Sequence, residues 1–268
     1  MDLEKRLSVA KKAVLEAGKL IMGIRRSNDL GVDYDSERNP VTKAEFQGED
    51  VIREIILSEF SEDSFEGKKS MPIPGNNGFK WACIPIDGIW SYINYEKTAA
   101  VSLALFSGKE IVLGFVYNFF TDEMYVGGQG LKTTVNDDKL PKITRNFPEV
   151  VNFQISREQY LDIAALYGLW RKKQIKKLVS VGGSIAYNLA QVAEGNHNCY
   201  LISTDKSINL WDVAAGIHLV RSVNGKVTDL DGKNLQLSHH PRIFIASNNS
   251  QTHQNMLKLL QGTRFGKY

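Results

Sequence analysis

The stretch Trp81-Ala82-Cys83-Ile84-Pro85-Ile86-Asp87-Gly88-Ile89-Trp90 reads as a buried strand that ends in Asp-Gly and runs into residues able to open a helix. An aspartate at the carboxyl end of a buried strand is well placed to hold a cation. Free N–H groups at a helix start are well placed to hold a phosphate. Taken alone, the same residues also read as an ordinary Asp-Gly turn.

Outward from this stretch, residues 3–24 carry Leu3, Leu7, Val14, Gly18 and Ile21 at helical spacing with Lys and Glu between them. Residues 26–40 are polar and read as a long loop. A second helix starts at Thr42, where Thr42 and Glu45 form a capping-box pattern, and Val51, Ile52, Ile55, Ile56 and Phe60 supply its apolar face. Residues 61–77 read as irregular. Strands are expected at 81–86, 101–106, 111–117 and 123–126, with turns at Val126-Gly127-Gly128 and Asn136-Asp137-Asp138. The second half alternates: strands at 150–155, 199–203, 225–229 and 242–246, helices at 157–169, 184–193, 211–224 and 252–261. Two helices, a run of strands and then alternation predict a layered α/β sandwich. The weak boundary near 141–148 divides an α+β lobe, 1–147, from an α/β lobe, 148–268, with a ligand cleft expected between them.

Bulk properties fit this frame. The chain has 268 residues, 43% apolar and 24% charged, with a net charge of +3 that is too mild to call for nucleic acid. No apolar run approaches the ~18 residues of a membrane span, and the charged N-terminus does not resemble a signal peptide. Cys83 and Cys199 both sit in apolar runs and read as buried free thiols, which favours the cytoplasm. The basic run Arg171–Lys177 reads as an exposed face with few aromatic neighbours, and His239-His240-Pro241 as a turn. Trp81, Trp90 and Trp211 are expected in the core. There is no P-loop and no serine nucleophile elbow.

Further segments carry chemistry only in combination. Val41-Thr42-Lys43-Ala44-Glu45 contains the capping box. Gly183-Ser184-Ile185-Ala186 is a glycine turn into a helix. In Trp211-Asp212-Val213-Ala214-Ala215-Gly216 an aspartate begins an alanine-rich helix. In this order, with Ile84-Pro85-Ile86-Asp87-Gly88 between the first and second, the chain resembles the inositol monophosphatase family over nearly its whole length. The segment Val223–Asp229 fits as well. The region 183–194 is closer in flavour to bacterial bisphosphate-nucleotidase members.

The resemblance implies an alternating α-β-α-β-α sandwich, a homodimer, and Mg²⁺-dependent hydrolysis of a small phosphorylated molecule, with no nucleic-acid or membrane partner. Mg²⁺ takes hard oxygen ligands in an octahedron, so the chemistry needs clustered carboxylates. Carried over position by position, Glu45 takes the place of an aspartate that helps activate water. Asp87 and Asp212 keep their places as metal ligands, and Ile86 offers a backbone carbonyl. Gly88, Ile89, Gly183, Ser184 and Asp212 are the expected ligand contacts. The family's Gly-Glu-Glu falls on Gly67-Lys68-Lys69, with Glu66 a nearby substitute. Its metal-bridging aspartate falls on Ile84, and its water-orienting threonine on Ile89. The site is therefore expected to hold at most one weak metal, on Asp87 and Asp212, and Lys68 and Lys69 read equally as point charges that meet a phosphate directly or as a solvated loop. The expectation is a phosphate-binding relative with weak or lost hydrolysis. The alternatives are a working Mg²⁺ phosphatase with a rearranged site, acting on an inositol phosphate, a sugar phosphate or a bisphosphate nucleotide, and a non-catalytic partner subunit of an active relative.

Overall fold

The computed structural model describes residues 3–27, 29–36, 39–140, 148–235 and 241–267. The chain opens with α1 (Leu3–Arg26), followed by a short ribbon of β1 (Asp33–Tyr34) and β2 (Pro40–Val41), and then α2 (Lys43–Glu59). A seven-stranded sheet comes next: β3 (Ser64–Gly67), β4 (Phe79–Asp87), β5 (Ala100–Ser107), β6 (Glu110–Asn118), β7 (Glu123–Gly128), β8 (Thr134–Val135) and β9 (Asp138–Lys139), with α3 (Ile89–Ile93) after β4. The second half runs β10 (Val150–Ile155), α4 (Tyr160–Arg171), β11 (Lys177–Val179), α5 (Ile185–Glu194), β12 (Cys199–Ser203), α6 (Leu210–Ser222), β13 (Lys226–Thr228), β14 (Ile243–Ser247) and α7 (Ser250–Gln261). Its sheet has the order β11-β10-β12-β14-β13.

Period-two alternation along the strands builds the layers. Trp81 and Cys83 of β4 join α1 and α2 in one apolar cluster, while Ala82 faces the other way, toward α5 and α6. Tyr200 and Ile202 of β12 meet α5 and α6 from the opposite side. Cys199 and Leu201 turn outward to α4 and α7. The architecture is the expected α-β-α-β-α sandwich, with one apolar cluster spanning both sheets through the middle helices. Both cysteines are buried and free. Among the described residues, no helix is long and apolar enough to cross a membrane.

The structure corrects several expectations. Residues 61–77 are not wholly irregular: β3 pairs in parallel with β4. The polar stretch 26–40 contributes β1 and most of the ribbon, because Asp33 and Tyr34 find backbone partners in Val41 and Pro40. Trp90 is 54% exposed. The five-residue α3 turns its buried side through Tyr92, whose hydroxyl donates to the Ile21 carbonyl at 3.0 Å. The basic run Arg171–Lys177 has exposed aromatic residues before it, Trp170 next to it and Tyr167 one turn back on α4. The boundary near 141–148 falls mostly, and His239-His240 wholly, outside the described residues.

One buried polar knot pins α1 to the large sheet. Asp63 is fully buried and accepts from Arg6 of α1, from Asn77 Nδ2 at 2.7 Å and from Trp81 Nε1 at 2.7 Å. The Arg6 guanidinium lies over the Phe60 and Phe79 rings. Removing Asp63 leaves a buried guanidinium and an indole N–H without their acceptor. We predict that Asp63→Ala lowers stability by about 3–5 kcal/mol, as for other broken buried pairs. Urea unfolding monitored by tryptophan fluorescence checks it; a loss below about 1 kcal/mol, the scale of a surface ion pair, contradicts the role given to this knot.

Candidate functional site

The site forms where the carboxyl end of β4 meets the amino ends of α5 and α6. A bulge between Ile84 and Asp87 ends the regular pairing of β4 with β5, and Pro85, which has no N–H to give a ladder, sits within it. The chain then turns through Gly88 at φ 83°, where a Cβ would stand 2.7 Å from the Ser184 backbone nitrogen. Only glycine combines that backbone conformation with so close an approach.

This turn brings Asp87 against α5. Its Oδ2 accepts from Ser184 Oγ at 2.6 Å and from the Ala186 N–H at 2.9 Å. Burial, and after it the nearby Asp212 carboxylate, pushes the Asp87 carboxyl up to about 7. Asp212 is in the first turn of α6, and its Oδ2 accepts from the Asn209 N–H at 2.9 Å, closing a capping box. Burial raises its pKa too, while Lys68 works to lower it.

Across from these groups, α2 presents two buried carboxylates one turn apart. Glu45 Oε2 accepts from the Thr42 N–H at 3.1 Å, as the capping-box pattern requires. Its Oε1 stands 2.9 Å from Lys69 Nζ and 3.5 Å from Lys68 Nζ. Glu49 takes the Lys69 and Ser70 N–H groups at 2.8 and 2.7 Å. A Cβ on residue 67 would lie 2.3 Å from the Glu49 carboxyl carbon, which explains the glycine before the lysines. The parallel pair Gly67–Cys83 sets the register, and the Lys68 N–H donates to the Cys83 carbonyl at 3.1 Å. Lys68 therefore stands beside Ile84, which is 1% exposed and pairs with Ser102 of β5.

The structure thus gathers Glu45, Asp87, Asp212 and Lys69 in one region, with Lys68 between them electrostatically. It draws Glu66 elsewhere, to Lys80 Nζ at 3.0 Å. Ile86 and Ile89 turn their side chains into the α1–α2 core. The Ser184 N–H donates to the Thr98 carbonyl at 2.7 Å, and its hydroxyl holds Asp87, so both groups serve the fold. Glu49 escaped the sequence reading, although its spacing of four from Glu45 on the apolar side of an amphipathic helix was a usable signal. The reading also missed a cavity of about 410 Å³ beyond the carboxyl ends of parallel β10 and β12. Asp212 lies on its wall with Gln154, Ser156, Thr204, Lys206 and Ser207. Crevices past the carboxyl ends of parallel strands are a recurrent ligand site in α/β sheets, so the strand order was the missing signal.

Comparison with known proteins agrees with this fold. The model of the inositol monophosphatase family matches residues 2–263. The chain is 28% identical over 279 aligned positions to the inositol-1-monophosphatase of Synechocystis sp., covering 98% of this chain and 91% of that protein. It is 28% identical to the histidinol-phosphatase of Chlorobaculum parvum, over 87% of each. The fold is similar to the crystal structure of the extragenic suppressor protein SuhB from Bartonella henselae, with a TM-score of 0.86 at 23% identity, covering 96% of this chain and 98% of that one.

The raised Asp87 pKa makes stability fall with pH. Above its ordinary 3.8 the unfolded chain has released this proton, while the folded chain keeps it until about pH 7. Folding therefore loses up to about 4 kcal/mol as pH rises through that window. Asp87→Asn carries no such charge, so it should flatten the dependence and exceed the parent in stability at about pH 8. Chemical denaturation at several pH values measures this; parallel pH curves for parent and variant would refute the assignment.

Proposed function

The chain belongs to the inositol monophosphatase family, whose function is the hydrolysis of phosphate monoesters, and we propose that it binds a small phosphorylated ligand while hydrolysing it weakly or not at all. The observation that carries this reading is the partner of Glu45: its free oxygen faces two ammonium groups. Magnesium asks for several hard oxygens at about 2.1 Å in an octahedron. Asp87 and Asp212 remain as oxygen donors at the site, but Ile84 supplies none, and Lys69 opposes any cation near Glu45. Among the described residues, no three His, Cys, Asp or Glu side chains gather as a metal cage. The residues present do not fit a set of paired Mg²⁺ ions. The rearranged-site alternative leaned on Glu66, and its pairing with Lys80 weighs against that route.

The cavity supports a polyhydroxylated ligand body. Gln154, Ser156, Thr204 and Ser207 offer amide and hydroxyl groups that exchange hydrogen bonds with a polyol, and Asp212 joins this wall to the phosphate end. Ile89 and the turns at Gly88 and Gly183 complete that end of the site in this reading. A homodimer and a cytoplasmic location complete the proposal.

Phosphate release from inositol monophosphate and adenosine 3′,5′-bisphosphate, followed through a millimolar Mg²⁺ titration, tests it. The expected wild-type turnover lies far below the ~10 s⁻¹ typical of enzymes. The double variant Ile84→Asp with Lys69→Glu restores oxygen ligands and should raise Mg²⁺-dependent turnover by about tenfold or more. Robust Mg²⁺-dependent turnover by the unmodified chain overturns the reading.

A further inference from the structure

We infer that Lys68 binds the ligand's phosphate directly and that this binding needs no metal, with Lys69 acting as a built-in counterion for Glu45. The inference rests on the ligand-binding reading above and assigns the chemistry that performs it.

The two lysines are adjacent in sequence but differ in their surroundings. The Lys69 side chain is only 11% exposed, its ammonium lies 2.9 Å from Glu45 Oε1, and the Phe46 ring lies 5.4 Å away. Its backbone N–H is fixed on Glu49. Lys69 is an ion-pair partner of Glu45 and offsets its charge, without hydrogen-bond geometry to that oxygen. The Lys68 side chain is 33% exposed, and its ammonium is 3.5 Å from the same oxygen, beyond a good charge-assisted hydrogen bond. Its charge also reaches Asp87 and Asp212. Lys68 is therefore a cation at the open side of the site with donors to spare, since an ammonium carries three.

Position and charge then select the ligand. Asp212, within the field of Lys68, also lines the cavity. In this inference a phosphorylated molecule keeps its body in the cavity and extends its anionic end past Asp212 to Lys68, which stands outside the cavity wall. Two ammonium groups set against Glu45, Asp87 and Asp212 remove most of the negative charge that would attract a divalent cation and repel a phosphate. The side chain of neighbouring Ile84, which pairs with Ser102, cannot reverse this, because it carries no ligand atom and no charge.

The test uses the full chain stripped with chelator, with inorganic phosphate as the probe in isothermal titration calorimetry at fixed ionic strength. Phosphate is expected to bind in the presence of EDTA, with an affinity that Mg²⁺ changes by no more than about twofold. Lys68→Met should weaken it by about tenfold or more, the scale of a lost hydrogen bond to a charged group, and Lys68→Arg should retain it. Glu45→Gln gives a second route if Lys68→Met does not fold. Glutamine serves the same capping position, so the helix start survives while Lys69 is released, and phosphate should bind severalfold more tightly. Phosphate binding that appears only with Mg²⁺, or that is indifferent to both Lys68→Met and Glu45→Gln, overturns the inference. Turnover is read separately in the same samples. Strong Mg²⁺-dependent hydrolysis would end the impaired-enzyme reading, whereas absent metal-free binding without hydrolysis would end only the role given to Lys68.

Discussion

The carboxylate of Asp87 holds the site together. It leaves the end of β4 and is gripped by the hydroxyl of Ser184 and the N–H of Ala186 at the start of α5. That residue adds a buried polar tie to the apolar packing that joins the seven-stranded sheet to the middle helical layer. The join also explains the residues around it. Gly88 must be a glycine because the turn passes against the Ser184 backbone. The Ser184 N–H is fixed in turn by the Thr98 carbonyl. Asp212 is brought opposite because α6 packs beside α5 in the same layer. A carboxylate so enclosed is costly to ionise, and its rise to about 7 is the electrostatic trace of the packing.

The same enclosure makes the lysines intelligible. Glu45 is fully buried, and an unpaired buried carboxylate is expensive. A metal ion is one way to offset that cost; an ammonium just past the end of β3 is another. The parallel pairing of β3 with β4 delivers the second solution, because it sets Lys68 and Lys69 against the first turns of α2. Glu49 completes the arrangement by holding the backbone that carries Lys69 and Ser70. The site is thus a local balance of fixed charges in which each buried carboxylate has an identifiable partner.

Much of this was legible in sequence because it depends on local rules. The helix spacing of Leu3, Leu7 and Val14, the Thr42–Glu45 capping box and the apolar run from Trp81 to Ile86 each record a short-range preference of the backbone. The order of motifs around Glu45, Asp87, Ser184 and Asp212 carried the family and with it the layered fold. The reading failed where partners are distant along the chain. Trp90 looked like core because tryptophan usually is, yet the short α3 buries Tyr92 instead. Asp63 gave no local sign of its buried pairing with Arg6, 57 residues away.

The sequence by itself determined most of the helices and longer strands and the apolar side chain at position 84, since these follow from residue identity and near-neighbour spacing, while the layer order came with the family resemblance carried by the motifs. Only the tertiary structure decided which charges meet. Lys69 on Glu45, Glu66 on Lys80 and Asp87 on α5 are contacts between segments that sequence order keeps apart. The physical reason is range: backbone propensity acts over a few residues, whereas Coulomb attraction and desolvation depend on distance in space and on burial, which exist only after the sheets have closed over the middle helices.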